Sequence, residues 1–231
     1  MTPGYHNITK KTEFEHDFGD VIYRYKASNK IFDYCRNHKI TPDILEYIVM
    51  NNITDSIITK FPNFIFITLD SKNQYDDSIK VSHIIKYINE NINGVFLKFY
   101  QKDGIIRLPL IQINVIKDRL LNKEKQMALT LENSEDFYPF RIFASAIVKY
   151  KDDSLLNDSF IKENALGVLA NTLGLDSFGK DTLVQRDCKG NIVLKQKYLD
   201  VLNLLYNPVI HNCLKMSEFK DALDSLKNLQ K

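Results

Sequence analysis

The sequence predicts a mainly α fold of two helical lobes with a small β-hairpin, flanked by extended N- and C-terminal arms. Three observations predict it. Segments beginning near Thr41, Asp76, Asp152 and Ser217 carry apolar residues at helical spacing, and each opens on a cap or an acid. One short stretch, FPNFIFITLD (61–70), is aromatic and β-branched in the manner of a strand. A polar interval, running from LNKEKQ to LENSED, marks a lobe boundary and places the lobes at 28–125 and 126–214.

Residues 1–27 mix charges with isolated aromatics (Tyr5, Phe14, Phe18, Tyr23, Tyr25) and keep no period, so they read as an arm. SNKIFDYCRNHK (28–39) reads as a short helix capped by Ser28. ITPDILEYIVMNNITDSIITK follows as a clearer one. Thr41 can cap it, and Pro42 sits at the first helical position, where its missing N–H costs nothing. Ile44, Leu45, Ile48 and Val49 form its apolar stripe.

FPNFIFITLD reads as one arm of a small hairpin closed by Asp70-Ser71-Lys72. DDSIKVSHIIKYINENIN (76–93) is a helix started by acids, which complement its dipole. GIIRLPLIQINVIKDRLLNKEKQ is broken by Pro109 and turns helical towards Leu121.

In EDFYPFRIFASAIVKYKDD, Phe140, Phe143, Ala144 and Ile147 are spaced as a helical core stripe, with Pro139 in its first turn. The stretch from Asp152 to Leu173 is helical and stops at Gly174. TLVQRDCKGNIVLKQ suggests a hairpin about Lys189-Gly190, and KYLDVLNLLY a helix ending before Pro208. The last segment, MSEFKDALDSLKNLQK, is an amphipathic helix with Met216, Phe219, Leu223, Leu226 and Leu229 on one stripe. That stripe must be buried on the chain's own core or on a neighbouring subunit. The second option makes 215–231 a C-terminal arm.

With 231 residues and 44% hydrophobic content the chain can bury a real core. It carries a net charge of only +2, so no global positive field announces a nucleic-acid partner. Three widely spaced cysteines (Cys35, Cys188, Cys213) suggest a reducing compartment rather than a disulfide framework. Neither a secretory leader nor an apolar run long enough for a membrane span is expected.

Few patterns carry chemistry. Cys35-x-x-His38 and His211-x-Cys213 offer four zinc-type ligands, but the second pair is too closely spaced for a finger and nothing ties the pairs together. Pro42-Asp43 followed by Asp70-Ser71-Lys72 imitates the PD…(D/E)xK nuclease pattern. There two carboxylates hold a divalent metal and the lysine assists the attacking water. Asp43, however, falls in the first turn of an expected helix, where an acid simply complements the dipole. No glycine-rich phosphate loop and no nucleophile motif occurs, so neither a cofactor nor an enzyme activity is expected.

Charge is segregated instead. Between Lys80 and Lys125 nine bases face four acids, and Tyr87, Phe96, Phe99 and Tyr100 are interleaved with them. Cations that track phosphates and rings that stack on bases are the elements of single-strand binding. The competing reading is a solvated helix face above core aromatics.

The order of segments resembles the nucleoproteins of orthobunyavirus-like (peribunyavirid) RNA viruses. KIFDYCRNH is similar to that family's early Tyr-x-x-Phe-Cys helix, and DSIKVSHIIKYI to its central basic helix. GIIRLPLIQIN, EDFYPFRI and SFIKENAL follow in the family's order, across roughly the central two-thirds of the chain. The resemblance implies a groove between two lobes that takes single-stranded RNA, with terminal arms joining protomers into rings or filaments.

The implied RNA contacts are Lys80, His83, Lys86, Tyr87, Arg107, Lys117, Arg119, Arg141, Lys149, Lys151, Phe160 and Lys162. His83 stands where the family has arginine, and a neutral imidazole is a weaker phosphate ligand than a guanidinium. Phe14, Phe18, Phe219, Leu223 and Leu226 are the implied oligomerisation residues. Implied partners are single-stranded RNA, further copies of the chain and the viral polymerase. The implied location is the virion ribonucleoprotein and the host cytoplasm.

Overall fold

The computed structural model describes residues 27–54, 57–100, 107–118, 127–137, 140–153, 157–175, 183–211 and 214–229. A helix, α1, runs through residues 27–37, and α2 (Pro42–Asn51) follows with Thr41 in extended backbone at its N-cap. A short antiparallel pair, β1 (Ile53–Thr54) and β2 (Ile57–Ile58), leads into the sheet. The sheet strands are β3 (Phe64–Asp70), β4 (Phe96–Phe99), β5 (Leu110–Lys117), β6 (Met127–Phe137) and β7 (Phe140–Tyr150). Helix α3 (Gln74–Asn91) connects β3 to β4, and α4 (Asp158–Thr172) follows β7. A hairpin of β8 (Val184–Arg186) and β9 (Ile192–Leu194), then α5 (Gln196–Leu205) and α6 (Met216–Leu229), complete the order.

The mainly α, two-lobe expectation is overturned by that sheet. Its strand order is β4-β3-β5-β7-β6, with β4, β3, β5 and β7 mutually parallel and β6 antiparallel at the edge. This is an α/β arrangement, with six helices among the described residues. β5 pairs with β7 from Leu110↔Phe143 to Lys117↔Tyr150, so one sheet runs straight across the interval expected to part the lobes. The described residues therefore do not form two helical lobes with a groove between them. β3 is a central parallel strand rather than half of a hairpin. The run around Leu110 to Lys117 and the Phe140–Tyr150 stretch are strands rather than helices.

The physical reason lies in the alternation. In β7 the residues Ala144, Ala146, Val148 and Tyr150 are buried on one face, and their registers match Ile111, Ile113 and Val115 of β5. Those in turn match Ile67 and Leu69 of β3. Helix α3 covers this face with Val81, Ile84, Ile85 and Ile88, and α4 with Ile161, Ala165, Leu166, Val168 and Leu169. α4 is apolar nearly all round because it is wrapped by α3, the sheet and the β8–β9 hairpin.

Polar cross-links tie the remaining helices to this core. Lys60, only 6% exposed, donates its ammonium to the Leu205 carbonyl and, at 2.6 Å, to the Ile210 carbonyl. Asn52 Nδ2 donates to the Gly174 carbonyl at 3.0 Å, and the Tyr206 hydroxyl to the Leu173 carbonyl at 3.2 Å. Gly94 has φ +83° and lies so close to the Tyr206 carbonyl that a Cβ would collide with it, so only glycine fits this turn.

The C-terminal helix finds its partner within the chain. Phe219, Ala222, Leu223 and Leu226 of α6 are buried, the helix lies against α2, and Lys227 reaches Glu46 at 3.4 Å. The stripe expected on an intersubunit arm is thus filled by the protein's own core. No described helix is long and apolar enough to cross a membrane.

Candidate nucleic-acid interface

Helix α3 buries one stripe on the sheet and turns another outward. His83, Tyr87 and Asn91 recur every four residues along that second stripe. Opposite stand Asp158, Ser159 and Lys162 from the first turns of α4, and Arg186, Asp187 and Gly190 to Val193 from the hairpin. Together they line a cavity of about 580 Å³, within the usual range for small-ligand sites. The two segments matched separately in sequence, DSIKVSHIIKYI of α3 and SFIKENAL of α4, are packed side by side.

Each wall is held by local chemistry. Asn157 caps α4 by accepting from the Phe160 amide at 2.8 Å. The hairpin turn is built around Asp187, whose carboxylate accepts from the Lys189 and Asn191 amides, each at 2.8 Å, and from Asn191 Nδ2 at 3.0 Å. Those bonds, the Asn191 side chain first, hold the Asp187 carboxyl below the usual range. The Tyr87 hydroxyl accepts from the Leu194 amide at 3.1 Å, pinning the helix stripe to β9. Burial raises the Tyr87 phenol, the bond from Leu194 partly offsets this, and the nearby Asp187 charge adds to the rise.

The cations are poised rather than locked. Lys162 bonds Asp158 at 2.8 Å, one turn back on the same helix. That bond is the main reason the Asp158 carboxyl sits low; burial opposes it, and Lys162, Lys80 and His83 add attraction. Asp158 is 61% exposed, so the pair contributes little, about 0–1 kcal/mol, and exchanging it for another anion is cheap. Arg186 donates to the Ser159 hydroxyl and, at 3.3 Å, to the Gly190 carbonyl, neither of which neutralises it. The cleft thus offers two cations, one tyrosine ring and several amide groups, balanced by two acids.

Of the sequence-predicted contacts, His83, Tyr87 and Lys162 line this cavity. Lys80 lies one turn earlier on α3 and pairs with the buried Asp77 at 3.2 Å. Lys86 is exposed on the same helix and pairs with Glu90 at 3.7 Å. Phe160 is half-buried against the core.

The rest are elsewhere. Lys117, at the end of β5, bonds Asp153 at 2.8 Å, and Lys149 in β7 approaches Asp118 at 3.6 Å. Arg141 is half-buried in β7, and Lys151 follows that strand. Arg107 sits before β5, stacked on Tyr100. Arg119, Phe14 and Phe18 lie outside the described residues. Arg186 and Asp187 were missed by sequence reasoning, although the Asp187-Cys-Lys-Gly turn that carries them was visible as a hairpin signal.

The other candidate constellations do not assemble. Asp43 stands in the first turn of α2, Asp70 ends β3, and Lys72 pairs with Asp153 at 3.6 Å. Among the described residues no group of three or more His, Cys, Asp or Glu side chains is placed to hold a metal ion. Cys35 is buried in the core, where burial pushes its thiol up to about 12. His38 bonds the Tyr34 carbonyl at 2.9 Å and stacks on that ring.

No family model matches this chain, and neither a curated protein nor a solved structure matches it.

Proposed function

We propose that the protein binds single-stranded RNA, without sequence readout, in the cleft between α3, α4 and the β8–β9 hairpin. The observation that carries this reading is the convergence of His83, Tyr87, Lys162 and Arg186 on one cavity. Lys162 and Arg186 would meet phosphates, and Tyr87 would present its ring to a base. A stacked base contributes about 1–3 kcal/mol, and each phosphate contact adds salt dependence. This is the RNA-coating role implied by the resemblance, reduced to the part that needs no second lobe.

The test is a titration of a fluorescently labelled 12-nucleotide RNA with wild-type protein and with the Lys162→Glu/Arg186→Glu double variant. The expected result is a loss of about tenfold to a hundredfold in affinity, since two attractive contacts become repulsive. Arg186 is exposed and Lys162 partly buried, so thermal unfolding is measured alongside, and the loss counts where the variant still unfolds cooperatively near the wild-type temperature. Equal affinities would remove the cleft from the account. Incubation of the same RNA with Mg²⁺ separates this reading from a nuclease, which would shorten the RNA rather than protect it.

A further inference from the structure

The face of the sheet turned away from α3 and α4 has a different character. Register and alternation assign Phe64, Phe66 and Thr68 of β3, Phe96 and Lys98 of β4, Gln112 and Asn114 of β5, and Ser145 of β7 to it. At the β4 edge the rings form a continuous patch. Phe64 and Phe96 stack at 5.7 Å and 22°, Phe66 meets Phe64 edge-on at 5.0 Å, and Tyr100 meets Phe66 at 5.8 Å. Phe64 is 41% exposed and Phe96 51% exposed, an unusual state for two phenylalanines on a sheet. The Arg107 guanidinium stacks 4.9 Å from the Tyr100 ring centre. Lys98 of the edge strand lies in register with Phe66 and is exposed.

A polar strip borders the rings. Gln112 Nε2 donates to Asn114 Oδ1 at 2.8 Å, and Asn114 Nδ2 donates to Ser145 Oγ at 3.0 Å. Beside them Thr68, 1% exposed, has a hydroxyl with no hydrogen-bond partner among the described residues. That hydroxyl is enclosed by the chain, as are Leu110 and Ile147 on the same face, so the reachable part of the strip is Gln112, Asn114 and Ser145.

We propose that this sheet face is a base-stacking surface for single-stranded nucleic acid, separate from the cleft. The π-faces of Phe64 and Phe96 suit unpaired bases, Lys98 and Arg107 suit the phosphates between them, and the Gln112–Asn114–Ser145 strip suits base edges. Charge decides against a second copy of this chain as the occupant. A two-fold contact through the patch would crowd four cations, Lys98 and Arg107 of each copy, around the stacked rings. The inference shares its ligand class with the RNA-binding reading and would let one chain hold two stretches of a strand, one on each side of the molecule.

The experiment compares a uridine 12-mer with an abasic ribose-phosphate oligomer of equal length, for wild type, Phe64→Ser/Phe96→Ser, Lys98→Glu and the cleft double variant. Wild type is expected to prefer the base-bearing strand. The ring variant should keep only the smaller preference that Tyr87 supplies in the cleft and bind the uridine strand at least tenfold more weakly, while the cleft variant keeps the preference. Lys98→Glu leaves the rings in place and should weaken both strands, which guards against misfolding of the ring variant.

A base preference that is undiminished in the ring variant overturns this inference and leaves the cleft reading standing. Loss of binding in the cleft variant alone does the same. No binding by wild type overturns both. A wild-type dimer that dissociates in the ring variant, with RNA affinity unchanged, assigns the face to self-association and overturns the inference.

Discussion

Lys60 shows how much a single residue can hide from sequence. It lies in an unremarkable Thr-Lys-Phe run, yet its ammonium is buried and bonds the Leu205 and Ile210 carbonyls across the fold, above the Tyr206 ring. Burial lowers its pKa from 10.5 to about 8. Between those values the unfolded chain binds the proton and the folded chain does not, so stability rises with pH across that window. Below about pH 8 both states are charged and the burial cost is fully present. Wild type should therefore gain up to about 1.4 kcal/mol per pH unit between pH 8 and 10. Urea midpoints for wild type and Lys60→Met check this: the variant should lack the rise, and parallel curves would contradict it. Tyr87 stood out by contrast as a ring among the bases of residues 80–125, whereas Lys162 was singled out only by the family resemblance, because a lysine near the start of a helix carries no local signal of what faces it.

At the scale of elements, helices were read well and strands poorly. α6 lies within its expected segment, α3 begins two residues and α5 one residue before theirs, and α4 begins six residues late but ends at the expected Gly174; the helix expected through Lys60 stops at Asn51, and its second half is the β1–β2 pair. β7 was misread for a physical reason. Phe140, Phe143, Ala144 and Ile147 satisfy a helical period by coincidence, and Ala-Ser-Ala suits a helix as well as a buried strand. Small residues at 144 and 146 are what lets α4 sit close on the sheet there, and that is tertiary information. β6 was read as a polar boundary because an edge strand needs apolar residues less than a central one.

The β8–β9 hairpin is the element on which the cleft most depends, since it brings Arg186 opposite α3. Asp187 organises its turn with three accepted bonds. Asp187→Ala should lower the urea unfolding midpoint, since the turn loses three bonds. It should also cut RNA affinity several-fold, although it removes a negative charge. A rise in affinity would mean that the acid's charge matters more than its turn.

For the whole molecule, a parallel sheet could not be read from local pattern. Its strands β3, β5 and β7 are far apart in sequence and covered by helices, so their pairing leaves no turn signature. The family resemblance supplied a two-lobe frame that the sheet does not allow. It did join two helices, α3 and α4, that prove to be neighbours around a cavity. The described rings and bases between Lys80 and Lys125 do not share one surface: Phe99 packs against the core and Lys117 pairs with Asp153. Tyr87 faces the cleft, while Phe96, Lys98, Tyr100 and Arg107 gather beside the open sheet face.

The central claim is that the chain binds single-stranded RNA chiefly through phosphate contacts and stacking. The most direct measurement is the affinity of wild-type protein for a 12-nucleotide RNA across a salt series. The account predicts saturable binding whose log–log slope against salt is about −1.4 or steeper, the value for two or more phosphate contacts. Absence of binding at low salt, or a slope near zero, would contradict it.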